Sequence, residues 1–118
     1  MDLEPLFHYV VIRHDLADGV REAQVVHAAG ESGASYAHRT SHGLPPGTRS
    51  VVLACRDEAE LHGIAARLEA AQARFSAILE SEGDHAGQLM ALGLEPIPRE
   101  DSARKCLSNL PLYRRMPP

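Results

Sequence analysis

Phe7-His8-Tyr9-Val10-Val11-Ile12 leads through Arg13-His14-Asp15-Leu16 and Asp18-Gly19 into Val20-Arg21-Glu22-Ala23-Gln24-Val25-Val26-His27-Ala28-Ala29-Gly30-Glu31. His8 apart, the first six residues are aromatic or β-branched, and a run this short and apolar reads as a buried strand. The period then changes. From Val20 to Ala37 the apolar residues keep helical spacing, with Val25, Val26, Ala29, Gly33 and Tyr36 expected against a sheet. Val20, Gln24, His27, Glu31, Ser35 and His38 fall on the other side. Asp18 is expected as N-cap, its carboxylate accepting free amide hydrogens of the first turn. A buried strand feeding a helix opens an α/β fold.

The alternation then repeats. His38 to Gly47 reads as a loop punctuated by Gly43 and Pro45-Pro46-Gly47, and Ser50–Cys55 as a second buried strand. Asp57 and Glu60 form a capping-box pair that opens a helix reaching Gln72, with Leu61, Ile64, Ala65, Leu68 and Ala71 at core spacing. Phe75–Glu80 is a third strand, 81–87 an acidic glycine-containing turn, and Gln88–Leu94 a fourth strand stopped by Pro96 and Pro98. A last helix is expected over Glu100–Asn109, with Ala103, Cys106, Leu107 and Leu110 inward, and a frayed tail over 111–118. This order predicts an α/β domain, 1–118, with three layers: a small mixed four-stranded sheet, its final strand pair antiparallel, and helices on both faces.

At 118 residues the chain can build one core, and with aromatics at 4% and no Trp that core is aliphatic. The formal net charge of −4 argues against a large nucleic-acid footprint, because neutralised phosphates supply much of such affinity. It leaves room for a local one, with Arg99, Arg104, Lys105, Arg114 and Arg115 gathered near the end. Cys55 and Cys106 fall in elements expected to be buried and form neither a disulfide framework nor a CxxC motif. No signal-peptide core and no apolar run near the ~20 residues of a membrane span is present, so no membrane partner and a cytoplasmic location are expected. His38 and His42 have the spacing of a helical zinc pair, but Gly43 and Pro45 argue that the helix ends there; no metal and no cofactor is expected.

Gln24, His27 and Glu31 project from neighbouring turns at spacings of three and four. They stand directly behind a strand end, where open α/β sheets place their chemistry. If the first and third strands are parallel, the loop 14–19 and the turn 81–87 share a rim lined by Asp15, Asp18, Arg21, Gln24, His27, Glu82, Asp84 and His85. An exposed His27–Glu31 ion pair on a solvated helix face accounts for the same spacing.

Val11-Ile12-Arg13-His14-Asp15-Leu16, followed by Ala23-Gln24-Val25-Val26-His27-Ala28-Ala29, resembles the opening signature of type-2 peptidyl-tRNA hydrolases. The similarity continues through Asp57-Glu58-Ala59-Glu60-Leu61, the third strand and Gly87-Gln88 to Gly93, and is strongest to the divergent peptidyl-tRNA hydrolase domain-containing branch. The resemblance implies a mixed-sheet α/β fold, often a homodimer, that hydrolyses the ester joining a peptide to the terminal ribose of tRNA in translation. Asp15, Gln24 and His27 map onto motif positions. The loop before the helix is shorter than the family's and lacks lysine, Arg21 being the nearest cation; 82–88 has no threonine, with Asp84 standing where the family has an acid. The catalytic set implied is His27 as base, Gln24 as donor to the oxyanion or ribose, and Asp84, with Arg13, Asp15, Arg21, Glu31 and His85 binding substrate. The absent lysines and threonine motivate the alternative of a non-catalytic member that binds tRNA ends or a protein partner.

Overall fold

A computed structural model describes residues 4–115. Its strands are β1 (Phe7–Arg13), β2 (Arg49–Cys55), β3 (Phe75–Leu79) and β4 (Leu89–Leu94), and its α-helices are α1 (Asp18–Thr40) and α2 (Glu58–Ala70). Short 3₁₀ turns occupy Gly83–His85, Ser102–Leu107 and Tyr113–Arg115. The four-stranded sheet has the order β2-β1-β4-β3. β1 and β2 are parallel, Phe7 lying opposite Arg49 and Arg13 opposite Cys55, while β4 runs antiparallel to both β1 and β3. β1 and β3 therefore point the same way, and the segments leaving them emerge at one rim.

Alternation along the strands builds two cores. Tyr9, Val11, Leu53 and Leu92 pack against Leu61, Ile64 and Leu68 of α2 and against Ala103 and Leu107. Val10, Ile12, Ile78 and Met90 pack with Ala28 of α1 on the opposite face. The mixed sheet in a three-layer α/β domain agrees with the order of elements in the sequence. No helix among the described residues is long and apolar enough to cross a membrane.

α2 begins as its sequence requires. Asp57 accepts the Glu60 amide at 2.9 Å, while the Glu60 carboxylate reaches back to the Arg56 amide at 2.7 Å. α1 differs from expectation in three ways. Its N-cap is Ala17, with no side-chain cap, and Asp18 pairs instead with Arg21 inside the first turn. The helix runs on to Thr40, where Ser41 in the left-handed region (φ 65°) ends it, so His42 lies outside it. Its buried face is Ala28, Ser32 and Tyr36, leaving Val26 72% exposed. The reason is a close approach: α1 lies so near β4 at Gly93 that any Cβ there would collide with the Ala28 carbonyl oxygen. Beneath the helix, Ser32 donates to the Ala28 carbonyl at 2.8 Å and accepts from His8 Nε2 at 2.7 Å.

The expected last α-helix is a 3₁₀ helix, Ser102–Leu107, capped by Asp101. Pro98 and Pro111 bracket it too closely for a cooperative α-helix. Residues 111–115 do not fray. The Pro111 carbonyl accepts the Ala54 amide at 3.0 Å and Leu112 bridges Leu53, so the segment lies along β2. The rest of the expected tail, 116–118, lies outside the described residues.

Candidate functional site

The shared rim is organised by Arg13, the last residue of β1, which is buried although charged. Its Nε and Nη2 each donate to one oxygen of Asp15 at 2.9 Å. Its Nη1 donates to Gln88 Oε1 at 2.9 Å and to the Leu89 carbonyl at 3.1 Å, joining the end of β1 to the start of its antiparallel neighbour β4. This fork holds the Asp15 carboxyl below the usual carboxylate range and raises the Arg13 guanidinium. Gly83 (φ 78°) and Gly87 (φ 81°) adopt a backbone that favours glycine, and the turn they shape folds His85 back over the strand entrance. There His85 Nδ1 meets Gln88 Oε1 at 2.9 Å. Glu58, in the first turn of α2, closes the cluster by accepting the Leu89 amide at 2.8 Å, and that bond lowers its carboxyl pKa.

α1 supplies the flank. Gln24 Nε2 donates to Glu80 Oε2 at 3.2 Å, and the other Glu80 oxygen accepts the Ser81 amide at 2.9 Å. Because the carboxylate can only accept, Gln24 is oriented with Nε2 toward Glu80 and Oε1 away from it. That Oε1 is buried and has no hydrogen-bond partner among the described residues. One turn earlier, Arg21 donates through Nη1 to the His14 carbonyl at 3.0 Å, while its Nε is likewise buried and unpartnered. The Arg21 guanidinium lies 5.5 Å from the centre of the Tyr113 ring, whose hydroxyl donates to Glu22 at 2.8 Å.

The same fold occurs elsewhere. A solved structure of a protein of unknown function from Agrobacterium tumefaciens strain C58 is similar, with a TM-score of 0.65 and 16% identity over 94% of this chain and 99% of that one. At that identity the likeness speaks for the fold alone. No family model matches the chain, and no curated protein does.

Of the residues singled out in the sequence, Arg13, Asp15 and His85 meet in the rim cluster, with Gln24 and Arg21 on its flank. His27 and Glu31 stand apart. Both are exposed, they approach at 3.6 Å, and the groove beside them is formed wholly by α1 residues. The geometry of a helix explains the separation: three residues turn it through about 300°, which leaves His27 about 60° round from Gln24. Asp84 is exposed on the turn, and its side chain makes no hydrogen bond or ion pair among the described residues. His42 donates to the Gly43 carbonyl at 2.9 Å and packs edge-on against Tyr36.

Three members of the network were not singled out in the sequence: Gln88, Glu80 and Glu58. Each sits at the end of a strand or the start of a helix, where a polar residue looks like a boundary. The one available signal was Gln88, an amide placed directly after Gly87 and ahead of an apolar strand.

Proposed function

We propose that this protein is an ester hydrolase acting on peptidyl-tRNA or a related aminoacyl ester, cleaving between the acyl group and the terminal ribose. One observation carries the reading: at the rim where β1 and β3 end and β4 begins, Arg13 joins Asp15 to Gln88 and Gln88 meets His85, while Gln24 bonds Glu80 just past the end of β3. The substrate class rests on the resemblance of Val11–Leu16 and Ala23–Ala29 to the peptidyl-tRNA hydrolase opening. On this reading the protein works in translation, in the cytoplasm.

The chemistry asks for an activated water and for groups that recognise the ribose and the developing oxyanion. Gln24 Oε1 is a buried acceptor and Arg21 Nε, one turn away, a buried donor, neither with a partner among the described residues, so the flank keeps unsatisfied polar capacity beside the rim. Arg13 is buried and engaged, so its part is to order Asp15 and Gln88 rather than to reach a phosphate.

Release of labelled peptide from purified peptidyl-tRNA tests the proposal. Wild type is expected to turn over well above background, Gln24→Ala at least about tenfold more slowly, and His27→Ala near the wild-type rate. Salt-dependent tRNA binding without turnover would replace the hydrolase reading by that of a module for tRNA ends. No turnover and no salt-dependent binding would end both.

A further inference from the structure

We infer that His85 is the proton acceptor of the rim site and that Gln88 is the positioning residue that fixes its tautomer, leaving Nε2 free to take a proton from water. The inference rests on the reading of the rim as an ester-hydrolysis site, and it assigns the base to the turn 83–85 rather than to α1.

The assignment follows from one shared atom. Gln88 Oε1 lies 2.9 Å from Arg13 Nη1 and 2.9 Å from His85 Nδ1. A guanidinium nitrogen donates and never accepts, so the Gln88 atom facing Arg13 is its oxygen; the amide nitrogen there would set donor against donor. That oxygen accepts and cannot donate, so the proton between it and His85 belongs to Nδ1. Neutral His85 then carries its lone pair on Nε2, which has no partner among the described residues. A buried guanidinium thereby sets the orientation of an amide, and the amide sets the protonation of a half-buried imidazole. Glu31 is the only partner His27 has among the described residues, and both groups are more than half exposed.

The step balances. Nε2 accepts a proton from water as the water oxygen bonds to the acyl carbon. The tetrahedral adduct then breaks the bond from that carbon to the ribose oxygen, and the proton on Nε2 passes to the departing oxygen. The products are the free acid and the free ribose hydroxyl, with His85 neutral again.

The experiment combines ¹⁵N NMR of the histidine rings with kinetics of wild type, His85→Ala, His27→Ala, Gln88→Leu and Gln88→Glu. Wild-type His85 is expected as the Nδ1–H tautomer. Gln88→Leu shifts its ring toward the other tautomer, while Gln88→Glu, whose carboxylate can still accept from both Arg13 and His85, retains it. On peptidyl-tRNA, His85→Ala lowers kcat roughly 10²–10⁴-fold. Gln88→Leu lowers kcat by about tenfold or more with KM little changed, as loss of the correct tautomer does elsewhere. Gln88→Glu recovers most of the rate, and His27→Ala matches wild type. Hydrolysis of p-nitrophenyl acetate, read as wild type minus His85→Ala, reports the base without tRNA.

An Nε2–H tautomer in wild type overturns the proposal, and so does a His85→Ala variant as active as wild type. If wild type cleaves the activated ester through His85 but not peptidyl-tRNA, the base assignment stands and the tRNA substrate falls. If it cleaves neither, both fall.

Discussion

Arg13 Nη1 donates a 2.9 Å hydrogen bond to Gln88 Oε1, tying the last residue of β1 to the residue that precedes β4. The same guanidinium holds both oxygens of Asp15 and the Leu89 carbonyl. Arg13→Ala removes all of these contacts and strands a buried carbonyl. Half-exposed Asp15 regains water and limits the loss, so the expected destabilisation is about 2–3 kcal/mol. Arg13→Lys restores little of it, because an ammonium cannot reproduce the fork. Urea unfolding of the three proteins measures this, and a lysine variant as stable as wild type would contradict it.

Asp15 gives a pH signature. Its folded pKa lies below the ordinary value because Arg13 donates to its carboxylate, so at acid pH the unfolded chain binds the proton first. The stabilisation is complete above about pH 3.9, the unfolded value, and disappears as pH falls through the lower folded one. The stability difference between wild type and Asp15→Asn should therefore be constant from neutral pH to about pH 5 and shrink below about pH 4. A gap that persists at the lowest pH where the protein stays folded would show that the Arg13 pair is not its source.

His8 acts at milder pH with the same sign. Burial pushes its pKa down, so the unfolded chain protonates at about pH 6.5 while the folded ring, bonded to Ser32, stays neutral. Stability should be flat above about pH 6.5 and fall as pH drops below it, levelling off only when the folded ring itself protonates. His8→Gln removes that slope between about pH 6.5 and 5.5, whatever its effect on stability at neutral pH. Equal slopes for the two proteins in that window would place the titration on another group.

Burial also sets the chemistry of the cysteines. It pushes the Cys55 thiol up to about 12, whereas Cys106 is only partly covered. A disulfide reagent at pH 8 should therefore modify Cys106 in the native protein and Cys55 only once denaturant is added. Cys106→Ser should leave the native protein with no rapidly reacting thiol. Fast modification of Cys55 in that variant would mean that the β2 core opens readily.

How much of this was legible in the sequence follows from how local each signal is. Strand runs such as Val10-Val11-Ile12 and the Asp57–Glu60 cap are decided by nearest neighbours, and both formed as read. On the face of α1, hydrophobicity favours Val26 over Ser32 for burial, whereas the structure buries Ser32 by giving its hydroxyl two partners, His8 and the Ala28 carbonyl, and leaves Val26 exposed. The rim cluster was half visible. Asp15 and His85 belong to segments that a parallel β1 and β3 bring to one rim, but Gln88 acquires its role only from Arg13, across the antiparallel pairing of β1 and β4. His27 shows the converse ambiguity, since a spacing that suggests a site is equally the spacing of the solvated ion pair it forms with Glu31.

Gly93 stands among the apolar residues of the fourth strand, and the packing of α1 depends on it. A methyl group there meets the Ala28 carbonyl oxygen and the Ser32 hydroxyl, and the first belongs to a helical backbone that cannot turn aside. Relief requires α1 to lift from the sheet, which loosens the His8–Ser32 bond and moves Gln24 relative to Glu80. Gly93→Ala should therefore destabilise by about 2–3 kcal/mol, although a glycine in a strand is ordinarily the weaker choice. Ala91, two residues earlier on the same strand, supplies the control: it already carries a Cβ and is buried, so Ala91→Gly should also destabilise, but by loss of packing. The two variants separate in the amide spectrum. Gly93→Ala shifts resonances along α1 from Gln24 to Tyr36, whereas Ala91→Gly perturbs only its surroundings. A Gly93→Ala protein as stable as wild type, with α1 resonances unmoved, would mean that the helix is not held against β4 by this contact.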